Sequence, residues 1–150
     1  MLQDALISMH SVSDSGNEDE DTIDFLTDGF YQFEDDTGHI TYLESEVTGM
    51  AGTRTSVTVA PDRVIIDRVG PVTSRMEFCE GVRSSFLYNT PFGNATMGLR
   101  TRHINRSMNA EGGDVEIEYV LDLEHSIVTR NRFHINVSQV GGAENVKPRS

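Results

Sequence analysis

Cysteine and lysine are almost absent from this sequence, and long apolar runs are missing altogether. Cys79 is the single cysteine among 150 residues, which excludes an internal disulfide framework and a multi-cysteine metal site. No apolar run approaches the ~18 residues of a membrane-spanning helix. Residues 1–10 lack the basic start and long apolar core of a signal peptide, so we expect a cytoplasmic protein.

The charge balance is strongly acidic. Twelve Lys and Arg oppose 24 Asp and Glu, for a formal net charge of −12, and eleven of the twelve cations are arginines. A charge of this sign repels phosphate backbones and anionic membranes. We therefore expect neither a nucleic acid nor a membrane as a partner, and the oligomeric state stays open.

Turn-forming residues recur about every ten residues. They include Gly38, Pro61, Gly70, Pro91 and Gly112. This spacing is typical of a sandwich or barrel of short antiparallel strands, and none of the four prolines interrupts a candidate strand.

Between the turns, apolar residues alternate with polar ones. In residues 114–124 the odd positions are apolar or aromatic and most even positions are acidic, which indicates a half-buried strand. We predict an all-β fold of 8–10 antiparallel strands. Short connections favour a single up-and-down barrel over a Greek-key sandwich. The barrel should span residues 1–140, followed by a flexible tail at 141–150.

The predicted turns also suggest strand registers. A turn at Pro61 pairs Val59 with Val64 and Thr55 with Arg68, so Arg68 points inward. Pairing Phe33 with Ile40 places Tyr31 opposite Tyr42 and directs Glu44 inward.

A second set of registers concerns the C-terminal half. Pairing Met108 with Asp114 places Arg106 outward, opposite Glu116, and Arg100 opposite Asp122. The same pairing aligns three polar side chains in one inward row, namely His103, Tyr119 and Asn131.

Several short motifs resemble the YwiB-like family of small bacterial β-barrel proteins. They are Asp28-Gly29-Phe30-Tyr31, Ile40-Thr41-Tyr42-Leu43-Glu44, Arg68-Val69-Gly70, Met76-Glu77-Phe78-Cys79-Glu80-Gly81 and Thr90-Pro91-Phe92-Gly93. The resemblance covers nearly the whole domain. It implies a calycin-type, lipocalin-like barrel in a bacterial cytoplasm and no assigned activity.

The candidate site is the set of polar and aromatic residues that the registers turn inward. Glu44 and Arg68 need each other, water or a ligand, because an unpaired buried charge is costly. They either pair to close the barrel or form the polar end of an apolar cavity. The predicted lining of such a cavity is Glu44, Arg68, His103, Tyr119, Tyr31, Tyr42 and Asn131.

The sequence contains few features that would indicate a catalytic or metal-binding site. No nucleophile elbow, phosphate-binding glycine loop or His-Glu-Xaa-Xaa-His motif occurs. The five histidines lack ligand spacing, so we expect no metal and no cofactor. Cys79 lies beside Glu77 and Glu80, and we interpret it as a structural thiol.

We therefore expect a non-enzymatic barrel that holds a small, mostly apolar molecule with an acidic or polar head. One alternative is a scaffold or assembly protein that acts through its surface. A hydrolase without a recognisable motif is a further alternative.

Overall fold

The computed structural model describes residues 3–14, 20–123 and 127–139. The expected tail at 141–150 and the connection at 124–126 lie outside these residues. The described part contains ten β-strands and a 3-10 turn at Glu46–Thr48. The strands are β1 (Gln3–Asp14), β2 (Glu20–Glu34), β3 (Thr37–Leu43), β4 (Arg54–Val59), β5 (Val64–Val69), β6 (Ser74–Phe78), β7 (Arg83–Thr90), β8 (Gly93–Asn109), β9 (Gly112–Leu123) and β10 (Ile127–Gln139).

The strands form one antiparallel sheet that curls into a nearly closed barrel. Most strands pair with their neighbours in sequence, and β1 also pairs with β10. At the seam between β6 and β7, Thr73 and Asn89 exchange two backbone hydrogen bonds of 2.9 and 3.0 Å. The predicted all-β, up-and-down barrel is confirmed. Among the described residues, no helix is long and apolar enough to cross a membrane.

The register of β4 and β5 is the one that the sequence predicts. Val59 pairs with Val64, and Thr55 pairs with Arg68. Val64 pairs with Phe78 on the same inner face. The short turn at Pro61 and Asp62 leaves no room for another pairing, so the sequence determines which face of each strand is buried.

The turn between β2 and β3 is tighter than the sequence predicts. Asp35 and Asp36 both have positive φ, 55° and 58°, as a two-residue hairpin turn requires. Tyr31 therefore pairs with Ile40, and Tyr42 with Gly29, two residues away from the predicted register. A shift of two residues preserves the inward face, so Glu44 still points into the barrel.

The register of β8 and β9 differs from the prediction for two reasons. A two-residue turn pairs Asn109 with Gly112, which shifts the pairing by one residue. A β-bulge between Thr101 and His103 then shifts it by one more. Tyr119 consequently lies opposite Thr101 instead of His103.

The two shifts also change the pairing of two arginines. Arg106 pairs with Val115 on the inner face, and Arg100 pairs with Val120 on the outer face. The predicted pairs of Arg106 with Glu116 and of Arg100 with Asp122 are therefore wrong. Arg106 instead reaches the β2–β3 turn, where its Nη2 donates to the Asp36 carbonyl at 2.9 Å.

The core fills the barrel from all sides. Its fully buried side chains come from nine of the described strands and alternate with more exposed positions, for example Ile7, Tyr31, Ile40, Val57, Val64, Phe78, Leu99, Ile117 and Ile135. Burial of each large apolar side chain stabilises the fold by roughly 1.5–3 kcal/mol. The interior is thus mainly a packed core, and polar groups are concentrated at one end.

Candidate ligand-binding site at one end of the barrel

Buried polar side chains cluster where β3, β4, β5 and β6 approach the same end of the barrel. We call this region the polar end and define it by Glu44, Thr53, Thr55, Arg68 and Ser74. Four of these residues are at most 6 % exposed, and the Arg68 side chain is 12 % exposed. The backbone N–H of Glu44 donates to the Thr53 carbonyl at 2.8 Å, which extends the β3–β4 pairing and fixes the Glu44 side chain inside.

Glu44 and Arg68 form a buried ion pair with incomplete hydrogen bonding. Arg68 Nε lies 3.8 Å from Glu44 Oε2, a distance within ion-pair range and beyond hydrogen-bond range. The Thr55 hydroxyl donates to the same Glu44 oxygen at 2.5 Å. Arg68 Nη1 contacts the sulfur of Met76 at 3.7 Å, a weak acceptor. The pair is therefore oriented but retains hydrogen-bonding capacity.

Three buried polar atoms in this region have no hydrogen-bond partner within the described part of the chain. They are Glu44 Oε1, Arg68 Nε and Ser74 Oγ. Buried polar groups in proteins are nearly always hydrogen-bonded, and an unpaired one costs about 1–3 kcal/mol. These atoms supply both an acceptor and donors for a polar group placed between them.

Two tyrosines border the polar end. Burial raises the pKa of Tyr42, the carboxylate of Glu44 raises it further, and the charge of Arg68 opposes both effects. Burial also raises the pKa of Tyr119, again opposed by Arg68. Tyr119 packs edge-on against Phe78 at 4.9 Å between ring centroids, and Tyr42 lies 5.8 Å from the Phe25 ring. Both phenols therefore stay neutral at physiological pH.

Apolar side chains at the same end are only partly buried. They pack against the core from β2, β7, β8 and β9, and comprise Ile23, Tyr88, Met97 and Leu121. Leu121 pairs with the buried Leu99, and Met97 with the buried Phe86, so both point inward. Partial exposure of inward-facing residues indicates that this end of the barrel is open enough to be wetted.

The structure places most, but not all, predicted site residues at this end. Glu44, Arg68, Tyr42 and Tyr119 line the interior there. Asn131 pairs with Tyr119 as predicted, and its side chain donates to Thr129 Oγ1 at 3.1 Å.

His103 and Tyr31 lie elsewhere. His103 was expected to face inward, but the shifted pairing turns it outward, where its Nδ1 lies 3.2 Å from Glu80 Oε2 and its side chain is 54 % exposed. Tyr31 is fully buried near the opposite end, where its hydroxyl donates to the Asn109 carbonyl at 2.6 Å. Burial raises the pKa of Tyr31, and the charge of Arg106 opposes this.

Ser74 of this region and Thr101 of β8 are buried polar residues that the sequence interpretation missed. Ser74 pairs with Arg68, whose inward position the sequence predicts, so the same inner face includes Ser74. Thr101 lies two residues before His103 on the strand face predicted to be inward, and it keeps that face because the turn and the bulge together shift its pairing by two residues. Within the described ranges, no three His, Cys, Asp or Glu side chains form a metal-ligand set.

Comparisons with known proteins agree with this architecture. Residues 7–135 match the family described as "Domain of unknown function (DUF1934)". The "Uncharacterized beta-barrel protein YwiB" of Bacillus subtilis (strain 168) is 28 % identical over 122 residues, which cover 79 % of this chain and 83 % of that protein. The crystal structure of the ywiB protein from Bacillus subtilis superposes with a TM-score of 0.82 at 21 % identity, covering 93 % of each chain. The family match spans most of the sequence, and the chain belongs to the DUF1934 family of unknown function.

Proposed function

We propose that this protein binds a small molecule inside the polar end of its barrel. The observation that carries the proposal is the set of unpaired, buried polar atoms on Glu44, Arg68 and Ser74. A ligand that hydrogen-bonds to these atoms would remove the desolvation cost that the protein alone leaves uncompensated.

The arrangement favours a neutral polar head on an apolar body. Glu44 and Arg68 already balance each other in charge, so a charged head would face a like charge within the same site. Glu44 Oε1 can accept a hydrogen bond, and Arg68 Nε can donate one. An amide or alcohol satisfies both, and an apolar body would contact the half-buried side chains Ile23, Met97 and Leu121.

We further propose a calycin-type barrel and a cytoplasmic location. Lipocalins share the up-and-down strand order and hold one small ligand in the barrel, although they have eight strands where the described part of this chain has ten. The free thiol of Cys79 is compatible with a reducing compartment.

Native mass spectrometry of the protein purified from its own host tests the binding proposal. We expect an adduct that denaturation releases. The variant Glu44→Leu/Arg68→Met should remain folded and lose the adduct, because a buried ion pair is replaceable by apolar side chains of similar volume. The matched control is Asp67→Asn/Arg75→Gln, which removes an exposed ion pair from β5 and β6 and should keep the adduct.

The Ser74→Ala variant provides a test that does not depend on the ion pair. The substitution removes a hydroxyl that has no hydrogen-bond partner in the described protein, so we expect the unfolding free energy to stay unchanged. We expect the adduct to bind with lower affinity. An adduct that survives both the double substitution and Ser74→Ala would place the ligand elsewhere. Absence of any adduct from native protein would favour the alternative, a role carried by the outer surface.

A further inference from the structure

The outer face of β8, β9 and β10 carries arginines that play no part in the interior site. Three of them line a groove of about 410 Å³, and the rest of its lining comprises Val12, Asp14, Glu118, Tyr119 and Asn131. We call it the arginine groove and define it by Arg102, Arg130 and Arg132. Its volume lies within the range of small-molecule sites in proteins.

Strand pairing and the β-bulge place the three arginines along one groove. Arg132 pairs with Glu118 across β10 and β9, and Arg130 pairs with Val120 two positions along the same face. Arg102 is the extra residue of the bulge in β8 and is exposed on this side. The backbone irregularity that displaces His103 thus also adds a third arginine to the groove.

Among the described residues, Arg102 and Arg130 have no ion pair, a property that they share with Arg54 and Arg100. Arg63, Arg75 and Arg83 each lie within about 3 Å of a carboxylate oxygen. Arg132 lies 3.6 Å from both Glu116 and Glu118. Asp14 lies opposite Arg130 in the pairing of β1 with β10, and these two described residues form no ion pair with each other.

Unmatched cations on one concave surface are unexpected in a protein with a net charge of −12. Like charges that converge repel one another, and an anion bound between them converts that repulsion into attraction. Guanidinium groups present planar, paired donors that fit the oxygens of a phosphate group. The acidic surroundings oppose a long polyanion such as a nucleic acid, whose many phosphates would meet the remaining negative surface.

We propose that the arginine groove binds a small phosphorylated molecule through Arg102 and Arg130. Arg132 is held by Glu116 and Glu118 and supports one wall. The carboxylate of Glu118 at the edge can accept a hydrogen bond from a hydroxyl group of the ligand body. The three arginines lie on the outer face, and Tyr119 and Asn131 of the interior site also line this groove, so the two proposed sites are adjacent.

Amide-resolved NMR titration with inorganic pyrophosphate and with ribose 5-phosphate tests the proposal. We expect shifts confined to β8, β9 and β10 with a Kd of about 1 mM or tighter. Arg102→Gln/Arg130→Gln should weaken binding at least about tenfold for both probes. The control Arg54→Gln removes an exposed arginine from β4, on the far wall of the barrel, and should leave the Kd unchanged.

Three results would overturn the proposal. The first is an absence of shifts with either probe. The second is an equal loss of binding in Arg54→Gln, which would show a response to overall charge. The third result concerns a single-stranded oligonucleotide that is titrated in parallel. If it binds through the same arginines more tightly than pyrophosphate and ribose 5-phosphate, and with a steep salt dependence, the groove is a nucleic-acid surface instead.

Discussion

Replacement of Arg68 by Met is the most direct test of the polar end. The Glu44 side chain is 1 % exposed, and Arg68 is its only cationic partner among the described residues. Without Arg68, the carboxylate keeps one hydrogen bond, from the Thr55 hydroxyl. The variant therefore leaves a buried negative charge with almost no compensation.

The structure gives the size of the effect. Two unit charges 3.8 Å apart attract by about 4 kcal/mol at an effective dielectric constant of about 20. Removal of one partner from a buried ion pair costs about 3–5 kcal/mol in proteins generally. With a urea m value of about 2 kcal/mol/M, the unfolding midpoint should fall by about 1.5–2.5 M.

Urea unfolding followed by circular dichroism measures this shift against two reference variants. Arg75→Met breaks an exposed pair with Asp67 and should cost under about 1 kcal/mol. Glu44→Leu/Arg68→Met should recover most of the loss, because no lone charge remains buried. If Arg68→Met costs as little as Arg75→Met, Arg68 is solvated and the polar-end site has to be abandoned.

Three further perturbations test other parts of the structure. Burial raises the pKa of Tyr42, so the phenol loses its proton in the unfolded chain at a lower pH than in the folded protein. The free energy of unfolding therefore decreases above about pH 10. In unfolding titrations at alkaline pH, Tyr42→Phe should reduce this decrease by about 1.4 kcal/mol per pH unit. Gly29→Ala would press a Cβ into the Ile7 side chain and the Thr41 carbonyl, and urea unfolding should show a loss of about 1–3 kcal/mol. Deletion of residues 141–150 should leave the melting temperature nearly unchanged, whereas a drop of about ten degrees would mean that the tail packs on the barrel.

The sequence predicts this fold well where turns are short and burial is one-sided. The hairpin at Pro61 has one register that buries Val57 and Val59, and the structure adopts it. The pairing of Asn131 with Tyr119 follows for the same reason, because a slip by one residue would expose an apolar face. Alternation therefore determines which residues are inside, including Glu44 and Arg68.

Errors arise where the backbone departs from regular pairing. Asp35 and Asp36 both adopt positive φ, a conformation that aspartate tolerates but that its presence in a sequence does not predict. The predicted β2–β3 register therefore differs from the observed one by two residues. Every position between the β8–β9 turn and the bulge in β8 has the face opposite to the prediction, because the two-residue turn shifts the pairing by one residue. The bulge shifts it by one more and restores the predicted faces beyond it, so His103 and Arg106 were misassigned and Thr101 keeps the inward face.

Deletion of Arg102 tests whether the bulge consists of one surplus residue. The residues on either side already keep separate registers, Thr101 with Tyr119 and His103 with Glu118, so the deletion should join them into a regular ladder with every inward residue unchanged. We expect a change in unfolding free energy of about 1 kcal/mol or less. Deletion of Asn105 is the matched control, because it must turn either Ile104 or Arg106 to the opposite face of the strand. The protein then loses either the burial of Ile104 or the contacts of Arg106 with Asp36. The unfolding free energy should therefore fall by several kcal/mol more than in the Arg102 deletion. If both deletions lower the unfolding free energy by the same amount, the barrel requires the bulge, and Arg102 is not a surplus residue.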